Sequence, residues 1–176
     1  KGKRNFSTRK NVHKTAMKKS RHIFMLLMIA IVVSSCDTSV IFEKQKDLQN
    51  QQWHQDSVLS YSFEADTIFC KAIKFSFNIR HNIDYAYKNM WLFVNIDVPN
   101  RESIIDTINL EFMDNQGNWL KHVTGGTIKE SKHYYRYALP NAPKGIYSIK
   151  LSQGMREEVL KNVVSVGARI EKLDYE

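Results

Sequence analysis

Hydrophobic and polar residues alternate along most of the chain with a period of two, which is the spacing of a β-strand rather than of a helix. The clearest example runs from Ile73 to Arg80, where every apolar side chain is followed by a polar one. Similar segments begin near Leu59, Met90, Ile108, Tyr135, Tyr147 and Val164. Strict alternation is typical of strands with one face on a core and the other in water. Seven to nine such strands predict an all-β fold, an antiparallel β-sandwich with Greek-key or jelly-roll-like connections.

Three details refine this prediction. In the strand that starts at Met90, Trp91 and Phe93 occupy the face opposite the apolar row, so we expect part of this strand to be covered on both sides. Turns are predicted at 114–118 and 141–145, where Gly or Asn accommodates a positive φ. The one helical candidate is Met155 to Lys161, a short helix between the last two strands.

The N-terminal region has the layout of a secretory signal. A basic stretch from Met17 to His22 precedes an apolar run from Ile23 to Val33, and Ser34-Ser35 leads directly into Cys36. Eleven helical residues reach roughly 17 Å, well short of the ~30 Å hydrocarbon core, which disfavours a permanent transmembrane helix. An apolar residue, two small residues and a cysteine resemble the lipobox of bacterial lipoproteins. The resemblance implies diacylglycerol on the Cys36 sulfur, cleavage before it, and an acyl chain such as palmitate on the new α-amine.

These features divide the chain into four segments. We expect residues 1–16 to be an over-called extension and 17–35 to be the lipoprotein signal peptide. Residues 36–52 are expected to form a tether with a candidate edge strand around Val40-Ile41-Phe42, and 53–176 the β-sandwich domain. The formal net charge is +8, but nine of the 26 Lys and Arg precede Cys36 and all 18 Asp and Glu follow it. The mature chain therefore has 17 basic and 18 acidic residues, which excludes a basic surface for nucleic acid.

The sequence contains no pattern of an enzyme or of a metal site. Beyond Cys36 only Cys70 remains, which we expect to be a buried apolar side chain. His54, His81, His122 and His133 have no metal-ligand spacing, and neither a nucleophile elbow nor a phosphate-binding glycine loop occurs. We therefore predict a protein that is not an enzyme and needs no cofactor and no metal.

The segment from residue 80 to 91 is the strongest candidate for a binding site. It combines the residue types enriched at interface hot spots on a loop between two strands, which predicts a partner-binding site made of Arg80, Asp84, Tyr85, Tyr87 and Trp91. The alternative is that the two tyrosines pack over one end of the sandwich and that Asp84 makes an Asx turn. Tyr134 to Tyr137 could form a carbohydrate platform, but the alternation directs Tyr135 and Tyr137 inward.

An ordered series of motifs resembles the gliding-motility lipoprotein H (GldH) family of Bacteroidetes-type bacteria. After the lipobox at Cys36, the series comprises Phe42-Glu43-Lys44, Trp53 with Asp56, Phe77 to Asn82, Asp84-Tyr85, Tyr87, Asn89 to Phe93, Asp106-Thr107, Gly117 to Leu120, Gly145 to Tyr147, Gln153 to Arg156 and Val166 to Lys172. The segment from Val123 to Lys132 departs from the family pattern. The family has no established catalytic residues, and some members occur in bacteria that do not glide.

The resemblance implies a lipoprotein that supports gliding motility and its associated secretion machinery through protein–protein contacts. Its partners would be the membrane, through the anchor at Cys36, and other gliding and secretion proteins of the envelope. We expect it in the cell outer membrane, facing the periplasm. Two other classes stand beside this one. A lipid-anchored carbohydrate-binding module requires exposed, coplanar rings at Tyr85, Tyr87 and Trp91, and a hydrolase requires two buried carboxylates or a Ser-His pair brought together.

Overall fold

The fold is built almost entirely from antiparallel strands. A computed structural model describes residues 39–65 and 72–173, with residues 136 and 137 as backbone only. The strands are β1 Val40–Asp47, β2 Gln52–His54, β3 Leu59–Ala65, β4 Ala72–Asn82, β5 Asn89–Asp97, β6 Ile104–Glu111, β7 Val123–Thr124, β8 Ile128–Pro140, β9 Gly145–Gln153, β10 Val159–Lys161 and β11 Val163–Leu173. The predicted all-β sandwich is confirmed. The predicted signal peptide, Cys36 and Cys70 lie outside the described residues.

Two sheets form the layers of the sandwich. One has five strands in the order β1-β11-β4-β8-β7, and the other has four in the order β3-β9-β5-β6. A separate pair of short strands, β2 and β10, places Trp53 in the core. The candidate edge strand around Val40-Ile41-Phe42 lies in β1, which pairs with β11 at the edge of the five-stranded sheet.

The core lies between the two sheets and is filled by the inward residues of the alternating pattern. The rows that start at Ile73 on β4 and at Met90 on β5 are buried throughout, as the alternation predicts. The hydroxyl of Tyr61 on β3 crosses the core to donate to the carbonyl oxygen of Val166 on β11 at 2.7 Å. This bond satisfies a buried polar group, which would otherwise cost free energy.

The structure departs from the sequence prediction at three places. The segment Met155–Lys161 is not a helix but a loop that leads into β10, since Val159–Lys161 pairs with Gln52–His54. On β5, the side chains of Trp91 and Phe93 are 41% and 51% exposed, so that face of the strand is not covered. A register shift between Val163 and Ser165 buries Val163 and leaves Val164 half-buried.

The predicted turns are present, with a positive φ where the sequence supplies Gly or Asn. Gly117 has a φ of 83° and Asn141 a φ of 47°. The Asp114 carboxylate accepts hydrogen bonds from the backbone N–H groups of Gln116 and Asn118 at 2.9 and 2.8 Å. These bonds hold the pKa of Asp114 below its usual value, the bonds from Asn118 making the largest contribution.

Gly167 on β11 provides space for a side chain of the neighbouring strand. The Gln45 side chain of β1 folds over it and donates to the Ser165 hydroxyl at 2.8 Å. A Cβ at position 167 would overlap the Gln45 amide oxygen and would lie 3.2 Å from the Lys44 carbonyl oxygen. A glycine is therefore required here for packing between strands rather than for a special backbone conformation.

We expect Gly167→Ala to lower the free energy of unfolding by about 1 kcal/mol, because the Gln45–Ser165 hydrogen bond must break. In a Gln45→Ala background the same substitution should cost little, since the overlapping amide is gone. Urea unfolding of the four proteins in this cycle measures the coupling. Gly126→Ala is the matched control, because a Cβ at Gly126 meets no atom within 4 Å. Equal effects of Gly167→Ala in both backgrounds would contradict this account.

Candidate functional site

The structure separates the five residues predicted to form one binding site. Arg80 lies on the outer face of the five-stranded sheet, opposite Glu130 across the β4–β8 pair, with 3.8 Å between its Nε and the Glu130 carboxylate. Trp91 lies on the outer face of the other sheet. The two residues are therefore on opposite sides of the sandwich and do not share a contact surface.

Tyr85 is a core residue. It is 5% exposed, its ring packs against His81 and Phe112, and its hydroxyl donates to the Asn89 carbonyl oxygen at 3.0 Å. Burial raises the pKa of Tyr85 far above its usual value. The prediction that Tyr85 contacts a partner does not fit this burial, and the alternative, packing at the end of the sandwich, describes it.

The turn between β4 and β5 is held by side chains on either side of Asp84. The Asn82 carboxamide oxygen accepts from the Asp84 backbone N–H at 3.2 Å, and Asn162 donates to the Asp84 carbonyl oxygen at 2.9 Å. The Asx turn is therefore made by Asn82, not by Asp84. Because the backbone of Asp84 makes these bonds, its exposed carboxylate is presented on a fixed turn.

Asp84 belongs to a surface of mixed charge at this end of the sandwich. The turn and the start of β8 are joined by the bond from the Ile83 N–H to the Thr127 carbonyl oxygen at 2.9 Å. This bond brings together two exposed isoleucines, Ile83 at 48% and Ile128 at 36% exposure. We name the end patch as the surface formed by Arg80, Ile83, Asp84, Ile128 and Glu130.

Tyr87 and Trp91 are brought together, but on a different surface. Both line a cavity of about 710 Å³, which we name the Trp91 groove. Its lining residues are Tyr87, Asn89, Trp91, Phe93, Thr107 and the segment 154–157. The predicted platform of Tyr85, Tyr87 and Trp91 does not form, because Tyr85 is buried and its ring meets that of Tyr87 at 67°.

One wall of the Trp91 groove is the loop after β9, and a buried glutamine fixes it. Gln153 is 2% exposed; its carboxamide donates to the Glu157 carbonyl oxygen at 2.7 Å and accepts from the Met155 N–H at 2.8 Å. The Gly154 N–H donates to the Trp91 carbonyl oxygen at 2.7 Å. The Tyr87 hydroxyl donates to the Glu157 carboxylate at 2.6 Å, and this bond raises the pKa of Tyr87.

The tyrosines on β8 do not form a second platform. Tyr135 is buried, as the alternation predicts, and donates to the Asp106 carboxylate at 2.9 Å. Tyr134 is exposed, but the ammonium groups of Lys74 and Lys132 lie 3.6 and 4.7 Å from its ring centroid. Tyr137 is described as backbone only.

The fold also assembles histidines that are far apart in sequence. The ring centroid of Phe112 lies 4.6 Å from that of His81 and 5.6 Å from that of His133. The ring centroids of His122 and His133 are 4.8 Å apart. Burial and the imidazoles of His122 and His81 lower the pKa of His133 to about 4. Burial also lowers the pKa of His81. No local spacing in the sequence indicates this cluster, because the pairing of distant strands creates it.

Within the described ranges, no group of three or more His, Cys, Asp or Glu side chains could hold a metal ion. In the same part of the chain, no helix has the length and apolar character that spanning a bilayer requires.

Comparison with known proteins identifies the family. The protein-family model described as GldH lipoprotein matches residues 40–170 of the sequence, from β1 into β11. The chain belongs to the GldH lipoprotein family. A relative named gliding motility lipoprotein GldH homolog, from Christiangramia forsetii, is 31% identical over 166 residues, covering 90% of this chain and 99% of the relative. The gliding motility lipoprotein GldH of Flavobacterium johnsoniae is 32% identical over 159 residues, covering 85% of this chain and 96% of that relative.

The predicted resemblance to the GldH family is thus confirmed. Among solved structures, one of infectious bursal disease virus Gx strain has a TM-score of 0.27 and 15% identity, covering 78% of this chain and 35% of that chain. That likeness carries no argument about fold or function.

The histidine cluster predicts how the stability of this GldH family member depends on pH. Because the pKa of His133 falls from 6.5 to about 4 on folding, the unfolded chain binds more protons between these values. The free energy of unfolding should therefore decrease as the pH falls from about 6.5 to about 4, by on the order of 3 kcal/mol for His133. Urea unfolding between about pH 7 and about pH 4.5 measures this loss.

His133→Gln should reduce that pH dependence, because it removes the titrating group. His54→Gln replaces an exposed histidine outside the cluster and is the matched control, which should keep the pH dependence of the parent. A His133→Gln protein with the full loss of stability at low pH would contradict the assignment to His133.

Proposed function

We propose that this protein is a non-catalytic cell-envelope lipoprotein that supports gliding motility and its associated secretion machinery through protein–protein contacts. The observation that carries the proposal is membership of the GldH lipoprotein family over residues 40–170. Two relatives that match most of the chain are named as a gliding motility lipoprotein and its homolog. Both relatives are named for gliding motility, which supports a role in that process rather than in a chemical reaction.

In this proposal the anchor is Cys36, acylated at its sulfur and at its new α-amine, and the protein resides in the outer membrane facing the periplasm. The apolar run that ends in Val33-Ser34-Ser35-Cys36 supports the anchor at Cys36. Burial of an acyl chain contributes about 0.8 kcal/mol per methylene, and two or more chains suffice for stable anchoring.

The partner-binding surface in this proposal is the end patch. Its turn is fixed by bonds to Asn82 and Asn162, so little conformational entropy is lost when a partner binds. The patch combines two exposed isoleucines with the opposite charges of Arg80 and Asp84. Apolar contact area with a few charges that select the partner is typical of protein interfaces.

The anchor is tested at the N-terminus of the mature protein. We expect mass spectrometry of protein from bacterial envelopes to show Cys36 as the first residue, carrying two or three acyl chains. Cys36→Ser should release the protein from the membrane fraction, because the thioether that holds the diacylglycerol cannot form. An unmodified Cys36, or a retained Met17, would overturn this part of the proposal.

The end patch is tested by Asp84→Arg. Because the turn depends on the backbone of Asp84 and not on its carboxylate, we expect a change in stability within about 0.5 kcal/mol. Reversal of a charge at a contact should weaken capture of partner proteins from envelopes by about tenfold or more and should impair surface spreading.

Two other variants define the specificity of this test. Glu64→Arg reverses an exposed charge on β3 outside the end patch and should retain capture. Tyr85→Ala should instead destabilise the domain by about 3 kcal/mol, because it leaves a cavity in the core. If Asp84→Arg and Glu64→Arg capture the same partners equally well, the end patch is not the contact surface.

A further inference from the structure

The Trp91 groove is separate from the end patch and has a chemistry of its own. Trp53 is fully buried and Trp119 is half-buried, whereas Trp91 is 41% exposed. Trp91 and Phe93 lie on β5, which is an interior strand of its sheet. The opposite face of β5 is packed into the core. The rings are therefore presented on a rigid support, which lowers the entropy lost when a ligand binds.

The floor of the groove is open because it contains a glycine. A Cβ at Gly154 would lie 3.3 Å from the Phe93 ring and 3.3 Å from the Cβ of Trp91. A side chain at Gly154 would therefore crowd the edge of the Phe93 ring and the base of the Trp91 side chain. The Gly154 N–H is bonded to the Trp91 carbonyl oxygen, so this loop keeps a fixed distance from the strand.

The walls of the groove offer hydrogen bonds of both kinds without a net charge. Asn89 donates to the Asn109 carboxamide oxygen at 2.6 Å, and the Thr107 hydroxyl lies on the next strand. The two ionised side chains of the lining, Arg156 and Glu157, have opposite signs. A ligand that suits this lining is uncharged, carries hydroxyl groups at its rim, and has an apolar face for the rings.

The groove continues beyond Trp91. A second cavity of about 620 Å³ shares Trp91 and Thr107 with the first and extends over β6 towards His122 and Tyr134. Each volume lies within the range of small-molecule sites, about 300–1,000 Å³. Two adjacent cavities of this size suit a chain of several units rather than a single small molecule.

The edge of β6 beside the groove disfavours an extended peptide as the ligand. A peptide would add to a sheet by pairing with free backbone groups of the edge strand. The Thr107 N–H instead donates to the Asp106 carboxylate at 2.8 Å, and the Glu111 carbonyl oxygen is 3.1 Å from His122 Nε2. Side chains are thus already bonded to backbone groups of β6 with which an added β-strand would pair.

We propose that the Trp91 groove binds a neutral oligosaccharide of β-1,4-linked pyranose units. In β-linked glucose or N-acetylglucosamine units all ring substituents are equatorial, which leaves an apolar C–H face to stack on the Trp91 indole and the Phe93 ring. The hydroxyl groups at the edge of the sugar bond to Asn89, Thr107 and the Glu157 carboxylate, and the buried Gln153 positions the loop that carries Glu157.

Calorimetric titration of the full chain in detergent tests the proposal, with cellohexaose and hexa-N-acetylchitohexaose as neutral probes. We expect saturable binding of at least one of them and a loss of affinity of about tenfold or more for Trp91→Ala. Gly154→Val, which fills the floor of the groove, should cause a comparable loss. Ile105→Ala is the matched control, because Ile105 is 78% exposed on the same sheet face but does not line the groove. The affinity of this variant for the sugar should equal that of the parent.

Thermal unfolding of each variant, followed by circular dichroism, separates a loss of binding from a loss of fold. Hexagalacturonic acid, which is negatively charged, should bind more weakly than the neutral probes. Decaproline, a polyproline II peptide that could stack on aromatic rings without pairing to a sheet edge, should not bind. The proposal is overturned if neither neutral hexasaccharide binds, if Trp91→Ala binds as tightly as Ile105→Ala does, or if decaproline binds in their place.

Discussion

The hydrogen bonding of β11 on both of its edges is the constraint on which the sandwich depends. This strand pairs with β1 on one side and β4 on the other, and its inward side chains, including Val166 and Ile170, are buried. In the other sheet β9 has the equivalent interior position between β3 and β5. The C-terminal part of the chain therefore supplies an interior strand to both layers. Such non-local pairing is typical of folds that form slowly, because long loops must close first.

The two proposed surfaces share one support. The turn that presents Asp84 and the strand that presents Trp91 are joined through Tyr85, whose ring is in the core and whose hydroxyl is bonded to the carbonyl oxygen of Asn89 at the start of β5. The anchoring of this aromatic residue fixes the end patch and one end of the Trp91 groove together. The proposed protein contact and the proposed ligand groove therefore lie on opposite faces of one small domain.

The sequence predicted those features that follow from local periodicity. Alternation identified the strands and the buried face of β4 and β5, because the side chains of a strand project alternately to its two faces. It failed at Met155–Lys161, where pairing with the distant β2 overrides any helical preference, and at Val163, where a bulge changes the phase. The candidate site was predicted as one loop, but residues on opposite faces of a sandwich can be close in sequence. The segment 154–157 was not included, because only the three-dimensional fold places it beside Trp91.

The capped edge of β6 has a consequence for a protein tethered to a membrane. Lipoproteins confined to a surface meet one another at a far higher effective concentration than in solution, and an open sheet edge is a template for pairing between copies. The Asp106 carboxylate and the His122 imidazole form hydrogen bonds with backbone groups of this edge. Strand exchange between neighbouring copies is thereby hindered at β6, so crowding within the membrane plane need not lead to aggregation through this strand.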